Sequence, residues 1–219
     1  APVVDENQRL IGRITVDDVI DVIRQSGEHM MMTTAGLSEK ADVFSPVFNS
    51  VKYRTIWLCI NLVNAFIAAF TINLFTDSIQ RVVSLAVLMP VIASMGGVVG
   101  NQTLTLVTRG IALDQITKEN VKKLFLKEAS VGVVNGLFWA FIVGLIVIVW
   151  LHDIPLGVVC GISMMISLFL STCAGTLIPL VLEKLNIDPA LGGSVLLVAI
   201  TDVLGFFIFL GIATLILLR

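Results

Sequence analysis

One carboxylate stands alone in the most apolar part of the chain. From Pro189 to Leu218 the sequence reads PALGGSVLLVAITDVLGFFIFLGIATLILL, and Asp202 is its single formal charge. A carboxylate at the centre of a membrane helix costs about 2.5–3.5 kcal/mol on insertion scales, so such groups mark ion paths, proton relays or buried polar contacts. Ser194, Val198 and Gly205 share the Asp202 face at helical spacing, with Thr201 beside it. A second polar set lies in PVIASMGGVVGNQTLTLVTRG, Pro90 to Gly110. There Ser94, Gly97, Asn101, Thr105 and Thr108 recur three or four residues apart and fall on one helix face. Asn101 and Gln102 are costly in lipid unless their amides find partners.

Two kinds of chemistry fit these residues. Two apolar segments that each present small and polar groups, one with a carboxylate, can wall a water-filled path. Alternatively Asp202 is protonated, or is structural glue bonded to amides such as that of Asn101. Gly96 and Gly100 form a G-x-x-x-G pair, which reads as a packing seam. Ser167, Ser171, Gly175 and Pro179, at four-residue steps, read as packing plus a proline kink. Cys59, Cys160 and Cys173 have no ligand-like spacing and read as small apolar packing residues. His29 and His152 are isolated and read as solvated surface groups. Asp17, Asp18 and Asp21 match a D-D-x-x-D pattern that can hold magnesium against a diphosphate. They sit at a helix start, where acidic residues favour the helix dipole, and the structural reading is preferred. Adjacent methionines at 30–32 do not share a helix face and read as an apolar contact, not a soft-metal site.

The elements that must position these groups follow from composition. The 219 residues are 57% hydrophobic and 14% charged, with mean hydropathy +0.98, which places the chain among polytopic membrane proteins. Uncharged stretches run over Thr55–Thr76, Val82–Thr108, Ala129–His152, Ile154–Leu182 and Pro189–Leu218. Each exceeds the roughly 20 residues that cross a bilayer, so five spans are expected. Lys52 and Arg54 precede the first span. Arg109, Lys118, Lys122, Lys123 and Lys127 follow the second, and Lys184 follows the fourth. The other side has Arg81 and Arg219. The positive-inside rule then puts the N-terminus in the cytoplasm and the C-terminus outside, in a plasma (inner) membrane. No basic region leads into an apolar core at the start, so no signal peptide is expected. The net charge of −2 argues against a nucleic-acid partner.

Residues 1–26 read differently. PVV and LIGRITV suggest short strands around a turn at Asp5–Gln8, followed by a helix capped by Thr15 or Asp17 that carries Val19, Ile20 and Ile23. Strand, strand and helix within fewer than about 40 residues cannot bury an apolar face unaided, so a larger cytoplasmic domain is expected to accompany them. GRITVDDVIDVI resembles the closing strand and helix of a CBS domain, an α/β module that often senses adenine nucleotides. Residues 27–54 are expected to form a cytoplasmic linking helix, and 55–219 the five-span domain. The fold class is thus an all-α membrane protein with five transmembrane helices, preceded by a CBS fragment and a linking helix.

The whole chain resembles the MgtE family of magnesium channels. The likeness rests on that CBS ending and on PVIASMGGVVGNQ (Pro90–Gln102), FLKE (Phe125–Glu128), LNIDPAL (Leu185–Leu191) and TDVLGF (Thr201–Phe206). Members commonly carry Asn after the Gly-Gly pair, where this chain has Val98. The resemblance implies a homodimer with the pore at its interface, lined by the second and fifth spans. It implies that Asp202 faces hydrated magnesium with Gly97 and Asn101 beside it. It also implies that Asp188 belongs to a cytoplasmic-side magnesium site that helps close the channel, so magnesium is both cargo and regulator.

Physical chemistry points the same way. One aspartate per chain cannot compensate a divalent ion, whereas a two-fold axis brings two copies together. Magnesium sheds water reluctantly, so a pore that keeps its water shell needs few direct ligands. Asn101, Thr105 and backbone carbonyls near Gly97 can accept hydrogen bonds from those waters. With Val198, Asp188 and Asp202 they form the expected magnesium-lining set. A non-enzymatic channel is therefore expected. The alternatives are a proton-coupled carrier of Mg2+, Co2+ or Mn2+ that uses Asp202, and an intramembrane enzyme. The latter lacks the second intramembrane aspartate of an aspartyl protease and the acidic cluster of a lipid phosphotransferase.

Overall fold

The computed structural model describes residues 1–34, 44, 46–117 and 119–218. Much of the expected linking segment, residues 35–43 and 45, lies outside them, as do Lys118 and Arg219. The chain divides into two units, Ala1–Ile56 and Trp57–Arg219.

In the first unit, β1 (Pro2–Val4) pairs antiparallel with β2 (Leu10–Arg13), matching Pro2 with Arg13 and Val3 with Gly12. Asp5 closes the turn. Its Oδ1 accepts from the N–H of Asn7 at 2.9 Å and of Arg9 at 2.7 Å. Helix α1 (Val16–Thr34) starts at a reciprocal cap. The Asp18 carboxylate accepts from both N–H and Oγ1 of Thr15 at 2.7 Å, and Thr15 Oγ1 accepts from Asp18 N–H at 3.4 Å. Asp21 instead pairs with Arg24 at 3.5 Å. These contacts engage two of the three D-D-x-x-D carboxylates in different tasks. The strand residues, with Val19, Ile20 and Ile23, are exposed, so the apolar side of this unit has no cover within it. Helix α1 continues through Gly27 without a break.

Among the described residues, five helices are long and apolar enough to cross a membrane: α2 (Val47–Asn73), α4 (Ser84–Ala112), α5 (Val121–Leu151), α6 (Ile154–Lys184) and α7 (Pro189–Leu217). The short α3 (Thr76–Arg81) separates the first two. The first span ends at Asn73 rather than Thr76, because Thr76 Oγ1 turns back to donate to the Asn73 carbonyl at 2.8 Å. The turn between α5 and α6 is equally local. His152 takes a left-handed conformation at φ 55°, and Asp153 caps α6 by accepting from Leu156 N–H at 2.9 Å.

Helix α6 is the central element, packed against α4, α5 and α7, while α4 also packs on α7. Its serines, threonines and glycines are buried and admit close neighbours. Leu85, Leu88 and Ile92 of α4, Leu156, Val159, Cys160, Met164 and Leu168 of α6, and Phe209, Leu210 and Ala213 of α7 form one core. Cys160 thus packs as an apolar residue, whereas Cys59 is exposed.

The cap at Thr15 has a pH signature. Hydrogen bonds from Thr15 lower the Asp18 pKa below its ordinary 3.8. A depressed carboxylate pKa contributes stability that is complete above the unfolded value and is lost as pH falls through the folded one. Amide exchange at Val19–Asp21, whose N–H groups are the first with helical acceptors, should therefore be slower at neutral pH, allowing for intrinsic rates, and lose protection below pH 3.8. Asp18→Asn should show the unprotected pattern throughout; equal protection in both proteins would contradict the cap.

Candidate ion pathway

The backbone of α7 is set at its start. Asp188 is the N-cap, its Oδ1 accepting from Ala190 N–H at 2.9 Å, and Pro189 follows in the first turn. Fourteen residues further, at 1.5 Å each, Asp202 stands about 21 Å along the axis. The two aspartates therefore belong to different places and cannot share one ion.

Asp202 is half-buried, and among the described residues no hydrogen bond or ion pair reaches its carboxylate. Val198, one turn earlier, is 41% exposed. Gly205 has open space where a side chain would stand. Thr201 points the other way: it is buried, and its hydroxyl donates to the Val198 carbonyl at 3.2 Å. The alternative reading, a bond from Asp202 to an amide of Asn101, has no counterpart among the described residues of one chain.

Helix α4 has two chemically distinct faces. Gly96, Gly100, Thr103, Leu104 and Val107 turn inward. Ser94, Asn101 and Thr105 are exposed, and Gly97 has open space beside it. The Thr105 hydroxyl satisfies itself on the Asn101 carbonyl at 2.8 Å. Thr108 departs from the expected face. It is buried, and among the described residues its hydroxyl has no hydrogen-bond partner, although at 100° per residue it keeps the angular position of Gly97 and Asn101. The G-x-x-x-G glycines do form a packing seam. A methyl group on Gly96 would lie 3.0 Å from Ser171 Oγ, and one on Gly100 would lie 3.1 Å from Leu197 Cδ1.

That seam fixes the register of α4 against α7. Leu197 lies beside Gly100 and Leu104 beside Gly193, so the two helices run antiparallel. Continued along both axes, this register puts Asp202 at the level of Ser94 and Gly97, Val198 near Asn101, and Ser194 near Thr105. Five of the six expected magnesium-site residues, Gly97, Asn101, Thr105, Val198 and Asp202, thus belong to two adjacent helices: Asn101 and Thr105 are exposed, Asp202 is half-buried, Gly97 has open space beside it, and Val198 exposes an apolar side chain. Asp188 stands apart at the far end of α7.

Glu128 carries a carboxylate that the spacing argument overlooked. It counted as a charge outside the third span, yet α5 begins at Val121 and includes it. Its side chain is 5% exposed and accepts an ion pair from Lys127 Nζ at 2.9 Å. The FLKE stretch held the signal, since a glutamate flanked by apolar residues at helical spacing can turn inward. Among the described residues, no three His, Cys, Asp or Glu side chains gather as a metal cluster.

The family model for MgtE, described as a divalent cation transporter, matches residues 89–212, the segment that holds both helices of this wall. The chain belongs to the MgtE family. It is 32% identical over 213 residues to a protein of Bacillus subtilis named magnesium transporter MgtE, covering 97% of this chain and 47% of that one. A Thermus thermophilus protein of the same name is 32% identical over 218 residues, covering 99% and 48%. One from Enterococcus faecalis is 30% identical over 213 residues, covering 97% and 47%. The chain spans about half the length of the curated relatives it matches. MgtE membership and the five apolar helices together make this a multi-pass membrane protein.

The two faces of α4 can be told apart chemically. In a background lacking Cys59, Cys160 and Cys173, cysteines at Asn101 and Thr105 should react with a membrane-impermeant thiol reagent. Cysteines at Thr103 and Val107 should not. Equal reactivity at all four, or none at any, would contradict the two-faced helix.

Proposed function

We propose that the protein is a magnesium channel whose pore lies on the two-fold axis of a homodimer, walled by α4 and α7 of each chain. The observation that carries this reading is Asp202: a solitary carboxylate at membrane depth, unbonded within its own chain, in a wall of exposed polar groups. Two copies supply two charges to one axis. Through one water layer, at about 5 Å and an effective dielectric of about 20, each carboxylate attracts a divalent ion by about 7 kcal/mol before desolvation is counted. That exceeds severalfold the 1.4 kcal/mol that makes a tenfold difference. Magnesium keeps its waters, and Asn101, Thr105 and the backbone near Gly97 and Val198 accept hydrogen bonds from them.

Regulation belongs to the other end of α7. Asp188, at the mouth that the Lys and Arg distribution makes cytoplasmic, would join a regulatory magnesium ion to the cytoplasmic domain. The uncovered apolar side of the first unit, CBS-like in pattern, is where further residues of that domain would pack. The membrane is the plasma (inner) membrane, with the N-terminus inside.

Liposome flux with a magnesium-sensitive dye tests the pore. Asp202→Asn keeps shape and hydrogen bonding and removes two charges per dimer, so flux should fall at least about tenfold while dimers still assemble. Removing a charge from hydrocarbon should leave thermal stability unchanged or raise it. A stable dimeric Asp202→Asn protein with normal flux would contradict the reading. Flux that follows the pH gradient would instead favour a proton-coupled carrier. In the same assay Asp188→Asn should weaken inhibition by internal magnesium; an unchanged inhibition curve would remove Asp188 from the gate.

A further inference from the structure

We propose that Gly175, on α6 and outside the pore wall, is the positioning residue that sets how far α4 stands from the pore axis. The inference rests on the pathway reading above and adds the element that fixes its width. A methyl group on Gly175 would lie 2.5 Å from the Gly100 carbonyl oxygen, 3.0 Å from Thr103 Cβ and 3.2 Å from the Leu104 backbone nitrogen. The first and last of these are the acceptor and donor of one helical hydrogen bond of α4. Backbone atoms cannot rotate away as a side-chain tip can, so the helices themselves must separate, by about 1 Å to restore ordinary contact.

The direction of that movement follows from the two faces of α4. Gly100, Thr103 and Leu104 face α6, while Ser94, Asn101 and Thr105 are centred about 130° round the same helix. Pushing α4 away from α6 therefore carries the polar face partly outward, and by two-fold symmetry both copies move. The path narrows across the axis by about 1 Å, a sizeable fraction of a water's diameter. A hydrated magnesium ion held through its water shell is sensitive to such a change. Other tight glycines serve different seams. A methyl group on Gly136 of α5, for example, would meet the Met165 carbonyl of α6 at 3.0 Å, with no α4 atom among its nearest neighbours.

Gly175→Ala tests the inference in liposomes, with Gly136→Ala as the control for a tight helix seam away from the pathway. Two quantities are read: magnesium flux per assembled dimer, and the concentration of hexaamminecobalt(III) that blocks half of it. That cation is close in size to hexahydrated magnesium and keeps its ligands, so its block reports pathway geometry and is independent of the amount of folded protein. Gly175→Ala should lower flux and weaken block by about tenfold or more, as misplacement of about 1 Å does elsewhere. Gly136→Ala should leave the block unchanged. If Gly175→Ala does not assemble, Gly100→Ala gives a milder push off α6, since its methyl group would meet the Ser171 carbonyl at 3.3 Å; its closer neighbour, the Leu197 side chain of α7 at 3.1 Å, can rotate away. Unchanged block in an assembled Gly175→Ala protein, or in Gly100→Ala where that one serves, overturns the inference. So does equal weakening in Gly136→Ala. Absence of magnesium flux from the unsubstituted protein would instead overturn the channel reading itself.

Discussion

Holding Asp202 in hydrocarbon costs roughly 2.5–3.5 kcal/mol on insertion scales, and the arrangement around it follows from how that cost is met. Among the described residues no donor of the same chain reaches the carboxylate. Glu128 shows the contrast: it too is buried at the edge of the bundle, but a lysine ammonium lies 2.9 Å away. A carboxylate without such a partner needs water or a cation. The residues level with it, Ser94 and Gly97, are those that leave room for either.

That room exists because α4 is pressed hard against its neighbours on its other side. Glycines at 96 and 100 let α4 approach α6 and α7 closely, and Gly175 answers from α6. Close approach on one face frees the opposite face from packing, so exposed polar groups need not be sacrificed to the core. Helix α6 is the most buried of the spans. It serves as the post against which the wall is built.

Much of this was legible in the sequence. Gaps between charges located five spans, because a formal charge rarely sits deep in hydrocarbon. The same rule misplaced helix ends. Charges mark where a helix leaves the apolar slab, whereas hydrogen bonding continues beyond it: α5 starts at Val121, eight residues before its uncharged stretch. Glu128 was missed for that reason. Three- and four-residue spacing found the Ser94–Thr105 face but extended it one step too far, to Thr108, which is buried. Gly175 read as packing, which it is. Only the distance to the Gly100 carbonyl shows which helix it positions, and no pattern along one chain contains that distance.

In the proposed pore the ion sits on the two-fold axis between the Asp202 carboxylates, where anomalous scattering can locate it directly. Crystals of the full protein grown with manganese in place of magnesium should show an anomalous peak on the two-fold axis. It should lie roughly 4–5 Å from both Asp202 carboxylates, one water layer beyond the roughly 2.1 Å of direct coordination. A peak enclosed within one chain, or an axis with no peak at the level of Asp202, would contradict the account.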